Sequence, residues 1–155
     1  MLRKILKWAV IVVTVAFVCA QFYRPAMTNA TVDPSRTVEA RLHVTPEVKA
    51  ILARSCNDCH SNQTRFPWYS YVAPVSWTLA SHIREGRDHL NFSDWASYDE
   101  EDQDRLLHNI CSITRRGVMP LHNYLFIHRD AKLTDSDVKT LCDWTNAERD
   151  RLNGK

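Results

Sequence analysis

Residues 56–69 of this 155-residue chain, CNDCHSNQTRFPWY, combine two cysteines, an adjoining histidine and a group of aromatic side chains. Cys56 and Cys59 have two residues between them, and His60 follows the second cysteine directly. Three chemistries use such a stretch: zinc binding, thiol–disulfide exchange and covalent haem attachment. The rest of the chain distinguishes among them.

The N-terminus has the composition of an export signal. Its first seven residues include three basic side chains and no acidic one, and an uncharged run from Trp8 to Phe22 follows. The apolar stretch Ile5–Tyr23 lies at the lower end of the roughly 17–25 residues that cross a bilayer, and its flanking charges favour a cytoplasmic N-terminus. We therefore expect residues 1–23 to be an uncleaved transmembrane helix. A cleaved signal and lipidation at Cys19 are the alternatives.

The remaining part of the chain is close to neutral. Residues 1–23 hold three of the 20 Lys and Arg and none of the 18 Asp and Glu, which leaves 17 basic against 18 acidic residues. Such a balance lacks the excess of basic residues that is typical of domains that bind nucleic acid. The length suits one modest core, and in an oxidising exported space free thiols tend to pair.

The pattern of apolar residues predicts an all-helical domain over residues 45–152, after a linker at 24–44 that has no sustained period. No segment has the alternation of a strand. The domain is expected to contain four or so helices joined by long structured loops. Thr45 and Pro46 are expected to begin the first helix, and the second is expected to end near Gly86. A capping box at Ser97 and Glu100 is expected to begin the third helix, which ends at Gly117. A second capping box, at Thr134 and Asp137, is expected to begin the last helix.

Zinc and thiol exchange suit the cysteine pair poorly. A structural zinc ion needs four ligands, usually from a second spaced pair, and adjacent residues such as Cys59 and His60 seldom bind one tetrahedral ion together. A redox-active pair usually begins a helix in a strand-rich fold. Here the pair ends a predicted helix, so both alternatives are weak.

Covalent haem attachment suits the same residues well. In a C-x-x-C-H stretch the two thiols add to the two vinyl groups of one haem, and the adjoining histidine binds its iron. Attachment takes place in the exported compartment, which agrees with the N-terminal signal. The sequence therefore predicts one haem c on Cys56 and Cys59, with His60 as the proximal ligand.

Met119 is the predicted distal ligand of the iron. It lies in the stretch RRGVMP, after a helix-ending glycine and before Pro120, which favours extended backbone. Methionine and histidine together favour ferrous iron and raise the reduction potential. A histidine (His82, His122 or His128) or an open position are the rival arrangements, and Met119 as ordinary core filler is the plainest alternative.

Two more groups of residues are candidates for supporting roles. Cys111 and Cys142 lie at inward positions of two predicted helices, so we expect a disulfide, with two buried thiols as the alternative. The aromatic run from Phe66 to Trp77 is expected either to surround the haem or to be plain core, and Trp68 is a candidate donor to a propionate.

The charged candidates are weaker. Four arginines are possible partners of the propionates, although for each one taken singly a solvated surface role is favoured: Arg84, Arg87, Arg115 and Arg116. The acidic run DEEDQD at residues 99–104 is most simply the charged first turn of a helix, and a docking patch for a basic partner is its alternative.

Several stretches together resemble a known family: CNDCHSNQTRFPWYSYVAPVSW, HIREGRDHLNFSDW, GVMPLHNYLFIHRDAKL and LCDWT. They are similar to a family of small bacterial haem-binding domains, which are single-haem c-type cytochromes, over roughly residues 45–150. The resemblance implies a cytochrome c-like helical fold around one covalent haem c. It also implies Cys56 and Cys59 as attachment sites, His60 as proximal ligand and Met119 as distal ligand.

These observations predict a membrane-anchored electron carrier rather than an enzyme. We expect a single-pass protein of the bacterial inner membrane whose haem domain lies in the periplasm and exchanges electrons with membrane or periplasmic redox proteins. The alternative is a haem enzyme or a gas or redox sensor with an open sixth iron position. A haem-bearing scaffold subunit of a larger respiratory complex is a third possibility.

Overall fold

The structure, a computed structural model, describes residues 1–154. These residues form helices and loops and contain no strand, which confirms the predicted all-α class. The α-helices are α1 (Leu2–Ala20), α2 (Val38–Arg41), α3 (Pro46–Ser55), α4 (Asn57–His60), α5 (Val75–His89), α6 (Glu100–Arg115), α7 (His122–Ile127) and α8 (Asp135–Leu152). Short 3-10 helices cover Pro34–Arg36, Trp68–Tyr71, Phe92–Ser97 and Arg129–Ala131.

The chain divides into two compact units, which differ from the predicted division at residues 23 and 44. The first unit comprises residues 1–28 and 65–85, and the second comprises residues 29–64 together with the chain from Gly86 onward. The predicted linker at 24–44 therefore contributes to the second unit. Val38 is the clearest case, because it is 1% exposed and lies in the hydrophobic core.

Polar contacts hold the first unit together. The side-chain amide of Gln21 donates to the Ala73 carbonyl at 3.1 Å, and its oxygen accepts from the Ala73 N–H at 3.0 Å. The Trp77 indole N–H donates to the Tyr23 carbonyl at 2.7 Å. These bonds join the chain just after α1 to the segment that leads into α5.

The first helix does not meet the expectation of a membrane-spanning segment. Among residues 1–154, no helix is both long enough and apolar enough to cross a membrane. Helix α1 begins at Leu2 and ends at Ala20, so it includes all three basic residues of the N-terminus and has only the stretch from Trp8 onward without charge.

The second unit has a continuous hydrophobic core. Its fully buried members include Leu107 of α6 and Leu141 of α8, both at 0% exposure, and Leu52 of α3 at 2%. A disulfide between Cys111 and Cys142 joins α6 to α8, with the two Cα atoms 4.7 Å apart. The bond ties together the two longest helices of this unit.

Several of the predicted helix caps are confirmed, where the capping side chain bonds to a backbone group a few residues away. The Thr45 hydroxyl accepts from the Val48 N–H, and Thr134 and Asp137 form the predicted capping box. Gly117 takes the left-handed conformation, with φ of 67°, just after α6. The box predicted at Ser97 is wrong, because Asp99 caps α6 by accepting from the Asp102 N–H.

Candidate functional site

Cys56 and Cys59, which are both free cysteines, lie at a junction between two short helices. Cys56 is the C-terminal cap of α3, and α4 is the single turn that follows it. The Cys56 carbonyl accepts from the backbone N–H groups of Cys59 at 3.2 Å and His60 at 3.0 Å. Since residues three apart on a helical turn are neighbours, this turn presents both thiols on one side.

The His60 ring is held by backbone carbonyls. Its Nδ1 lies 2.9 Å from the Gly86 oxygen and 3.1 Å from the Leu90 oxygen. Carbonyl oxygens only accept hydrogen bonds, so Nδ1 carries the proton and Nε2 keeps its lone pair. Burial lowers the pKa of His60 and outweighs the opposing effect of these two bonds. The ring is therefore neutral and in the tautomer that binds a metal through Nε2.

The electrostatics of the thiols disfavour disulfide exchange. Burial and the neighbouring Cys59 raise the pKa of Cys56 to about 12, and burial and Asp58 raise that of Cys59 to about 11. Exchange requires a thiolate, which forms where positive groups lower the pKa. The described residues contain no group of three or more His, Cys, Asp or Glu able to hold a metal ion.

Met119 lies in the loop between α6 and α7. The Gly117 N–H donates to the Thr114 carbonyl at 3.0 Å and the Val118 N–H donates to the Ile113 carbonyl at 3.1 Å, which closes the end of α6 before the loop. Met119 is half-buried, and its peptide bond to Pro120 is cis.

A cavity of about 830 Å³ lies beside Met119. Its wall is formed by the end of α6, the Met119 loop, α7, the Arg129–Ala131 turn and α8, with apolar side chains such as Leu125 and Val138 beside the basic Arg115, Arg129 and Lys132. Neither His60 nor the cysteine pair lines this cavity. Met119 and the cysteine motif therefore belong to one unit but do not line one cavity.

One contact joins the cysteine motif to the helix that follows the Met119 loop. The Tyr124 hydroxyl of α7 donates to the Asp58 carboxylate at 2.9 Å. Asp58 lies inside the cysteine motif, and Tyr124 comes five residues after Met119. Sequence reasoning missed this link, because α7 was expected to be loop and nothing in the spacing of the two residues indicates that they meet.

The rival histidines occupy different surroundings. His82 is partly buried in α5 within the first unit, and His122 is exposed at the start of α7 where it lines the cavity. His128 stacks on the Tyr124 ring, with centroids 4.3 Å apart.

The four candidate arginines also differ in their positions and hydrogen-bond partners. Arg87 donates to the Ser61 carbonyl at 2.8 Å, the Asn29 side chain at 2.7 Å and the Thr64 hydroxyl at 2.9 Å, so it fastens the loop that follows His60. Arg84 donates to the Ser81 hydroxyl and Arg116 donates to the Ser112 carbonyl, so each bonds to a neighbour on its own helix. Arg115 lines the cavity beside Met119 and is the candidate best placed for an anionic group there.

The aromatic and acidic runs have local roles. Trp68 is 78% exposed, packs edge-on against Tyr69 and belongs to the first unit, so its predicted contact with a propionate stays a prediction. In the acidic run, Asp99 caps α6 and Asp104 binds Arg149 of α8 through two bonds of 2.9 and 3.0 Å. The guanidinium lowers the pKa of the Asp104 carboxyl.

Comparison with known protein families gives a match over most of the chain. A family model described as a haem-binding domain matches residues 15–147, a range that includes parts of both units and every predicted ligand. No curated protein and no solved structure matches the chain.

Proposed function

Since the chain belongs to the haem-binding domain family, we propose that it is a c-type cytochrome that transfers single electrons. One haem c would be attached covalently through the thiols of Cys56 and Cys59, with His60 as the proximal ligand. The observation that carries the proposal is the His60 ring, whose Nδ1 proton is held by two carbonyls while Nε2 keeps its lone pair. Cys56 is the N-terminal cap of the turn that ends at His60, and Cys59 lies on that turn directly before the histidine.

The residues of the chain would hold the group and define its surroundings. His60 is fixed by Gly86 and Leu90, and the edge of the Phe92 ring covers it, with centroids 6.4 Å apart. When bound, haem iron supplies the one-electron chemistry by cycling between its ferric and ferrous states. Electron transfer of this kind needs no general acid, base or nucleophile from the protein.

Met119 is our proposed distal ligand. The rigid end of α6 presents it at a cavity, and the Tyr124–Asp58 bond fastens the following helix to the cysteine motif. A thioether would complete the coordination of the iron and exclude small molecules. The cavity beside Met119 also provides room for a diatomic ligand, which is the feature that favours the enzyme or sensor alternative.

Carbon monoxide distinguishes these two possibilities. We expect the reduced, haem-loaded protein to have a low-spin visible spectrum that does not change on addition of the gas. In Met119→Ala the gas should bind and the reduction potential should fall. Met27→Ala, which changes a half-buried methionine of the first unit, is the matched control and should leave both readouts unchanged. Gas binding by the unaltered protein would instead support the open-site alternative.

We also propose that the domain lies in the bacterial cell envelope, with membrane or periplasmic redox proteins as partners. Its support is the Cys111–Cys142 disulfide, since such bonds persist in oxidising compartments, together with the basic start of α1. No side chain of α1 is buried, so this helix is the segment through which we expect attachment to the membrane. Cell fractionation tests the location in the envelope and the attachment through α1. The full chain should be found with the membrane, and a variant lacking residues 1–23, the control, should not.

A further inference from the structure

Gly86 lies inside a helix, where glycine is an unfavourable residue. Helix α5 continues through it to His89, so the glycine does not end the helix as its position in the sequence suggests. A Cβ atom at this position would lie 2.6 Å from the Cys59 carbonyl oxygen and 3.3 Å from the Cys59 Cβ. The backbone of α5 therefore rests directly on the turn that carries the cysteine pair, and only glycine permits this approach.

The same turn of α5 holds the His60 ring. The Gly86 carbonyl accepts from the Leu90 N–H at 2.9 Å and also from His60 Nδ1 at 2.9 Å, while the Leu90 carbonyl adds a second acceptor at 3.1 Å. Carbonyl groups at the C-terminus of a helix form the negative end of its dipole. Partial negative charge is thus concentrated beside the protonated nitrogen of the ring.

We propose that Gly86 is a positioning residue that brings the C-terminal turn of α5 against His60 and thereby sets the reduction potential of the haem. This inference rests on the proposed function, in which His60 binds iron through Nε2. Acceptors at Nδ1 make the imidazole a stronger donor to the metal, and a stronger donor together with nearby negative charge stabilises ferric iron. With haem bound, the end of α5 would therefore lower the potential and oppose the rise that a methionine ligand would cause.

The test is Gly86→Ala in the full, haem-loaded chain. An added methyl group at 2.6 Å from the Cys59 oxygen forces α5 away from the turn, which lengthens the hydrogen bonds from His60. We expect haem to stay attached, because both thiols and His60 are unchanged. The ferric-to-ferrous equilibrium should shift about tenfold towards ferrous iron, which is a rise in potential of about 59 mV for one electron.

Two controls separate a change of potential from a loss of stability. Gly154→Ala changes a glycine with no atom within 4 Å of the added methyl group, and it should leave the potential unchanged. Leu107→Ala removes buried core volume from α6, which makes no hydrogen bond to His60 Nδ1, and should lower stability without moving the potential. A potential that stays constant or falls in haem-loaded Gly86→Ala would overturn the inference while leaving haem attachment intact.

A measurement on the unaltered protein keeps the inference testable if Gly86→Ala does not fold. Nuclear magnetic resonance should show a His60 Nδ1 proton that exchanges slowly with solvent, because two carbonyls hold it. Rapid exchange would contradict the inference. Failure of the proposed function looks different, since haem would then be absent from the purified protein, or His60→Ala would retain the same axial ligation.

Discussion

Removal of the Cys111–Cys142 disulfide should destabilise the folded protein substantially. The bond closes a loop with a sequence separation of 31. In the chain-entropy description a loop of this length contributes about 3.7 kcal/mol at 25 °C, because the cross-link restricts the unfolded chain. The contribution is large beside the 5–15 kcal/mol that typically stabilises a domain. Cys111→Ala with Cys142→Ala keeps both positions apolar, so loss of the cross-link dominates the change.

Urea unfolding of the haem-loaded protein, followed by circular dichroism, measures this contribution. With a slope of about 2 kcal/mol/M, a loss of about 3.7 kcal/mol lowers the midpoint by roughly 1.8 M. Cys19→Ala is the matched control, since Cys19 is free and exposed on α1, and its midpoint should equal that of the unaltered protein. An unchanged midpoint in the double variant would refute the reasoning that this bond restricts the unfolded chain.

Two further predictions concern the core and the last helix. Leu107→Ala, at a position with 0% exposure, should cost about 2–5 kcal/mol in urea unfolding, whereas Leu2→Ala, at 80% exposure, should cost almost nothing; equal costs would contradict the assignment of the core. Burial alone would raise the pKa of Asp137, but hydrogen bonds from Thr134 and the Arg54 guanidinium lower it below the ordinary 3.8. The carboxylate therefore stabilises the fold above that pH, and the stabilisation is lost as the pH falls through the lowered value. Asp137→Asn should lower the free energy of unfolding by about 1 kcal/mol at pH 7. At a pH below both the ordinary and the lowered pKa of Asp137, the variant and the unaltered protein should be equally stable. A difference in stability that does not depend on pH would contradict this.

The local signals in the sequence predicted the helices better than the contacts between them. Thr45 and Thr134 cap their helices as predicted, because a capping side chain bonds to a backbone group only three residues away. Gly86 was predicted to end a helix, yet α5 continues through it because the glycine serves close packing against Cys59. Nothing within a few residues of Gly86 reveals that contact.

In the candidate site, too, the residues that are neighbours in sequence could be predicted, whereas the contacts between distant segments could not. Cys56, Cys59 and His60 could be chosen from spacing alone, since the chemistry requires them to be adjacent in sequence. The carbonyls that hold His60 come from residues 26 and 30 positions later, and backbone acceptors leave no mark on side-chain identity. Tyr124 and Asp58 are 66 residues apart, so their bond follows only from the tertiary fold.

Intact-mass spectrometry of the full chain, made with haem-attachment machinery and then extracted with acidified acetone, tests the central claim most directly. This extraction removes haem that is not covalently bound. We predict that the protein retains the mass of one haem and that Cys56→Ala with Cys59→Ala loses it completely. Loss of haem from the unaltered protein, or retention by the double variant, would contradict covalent attachment at these two cysteines.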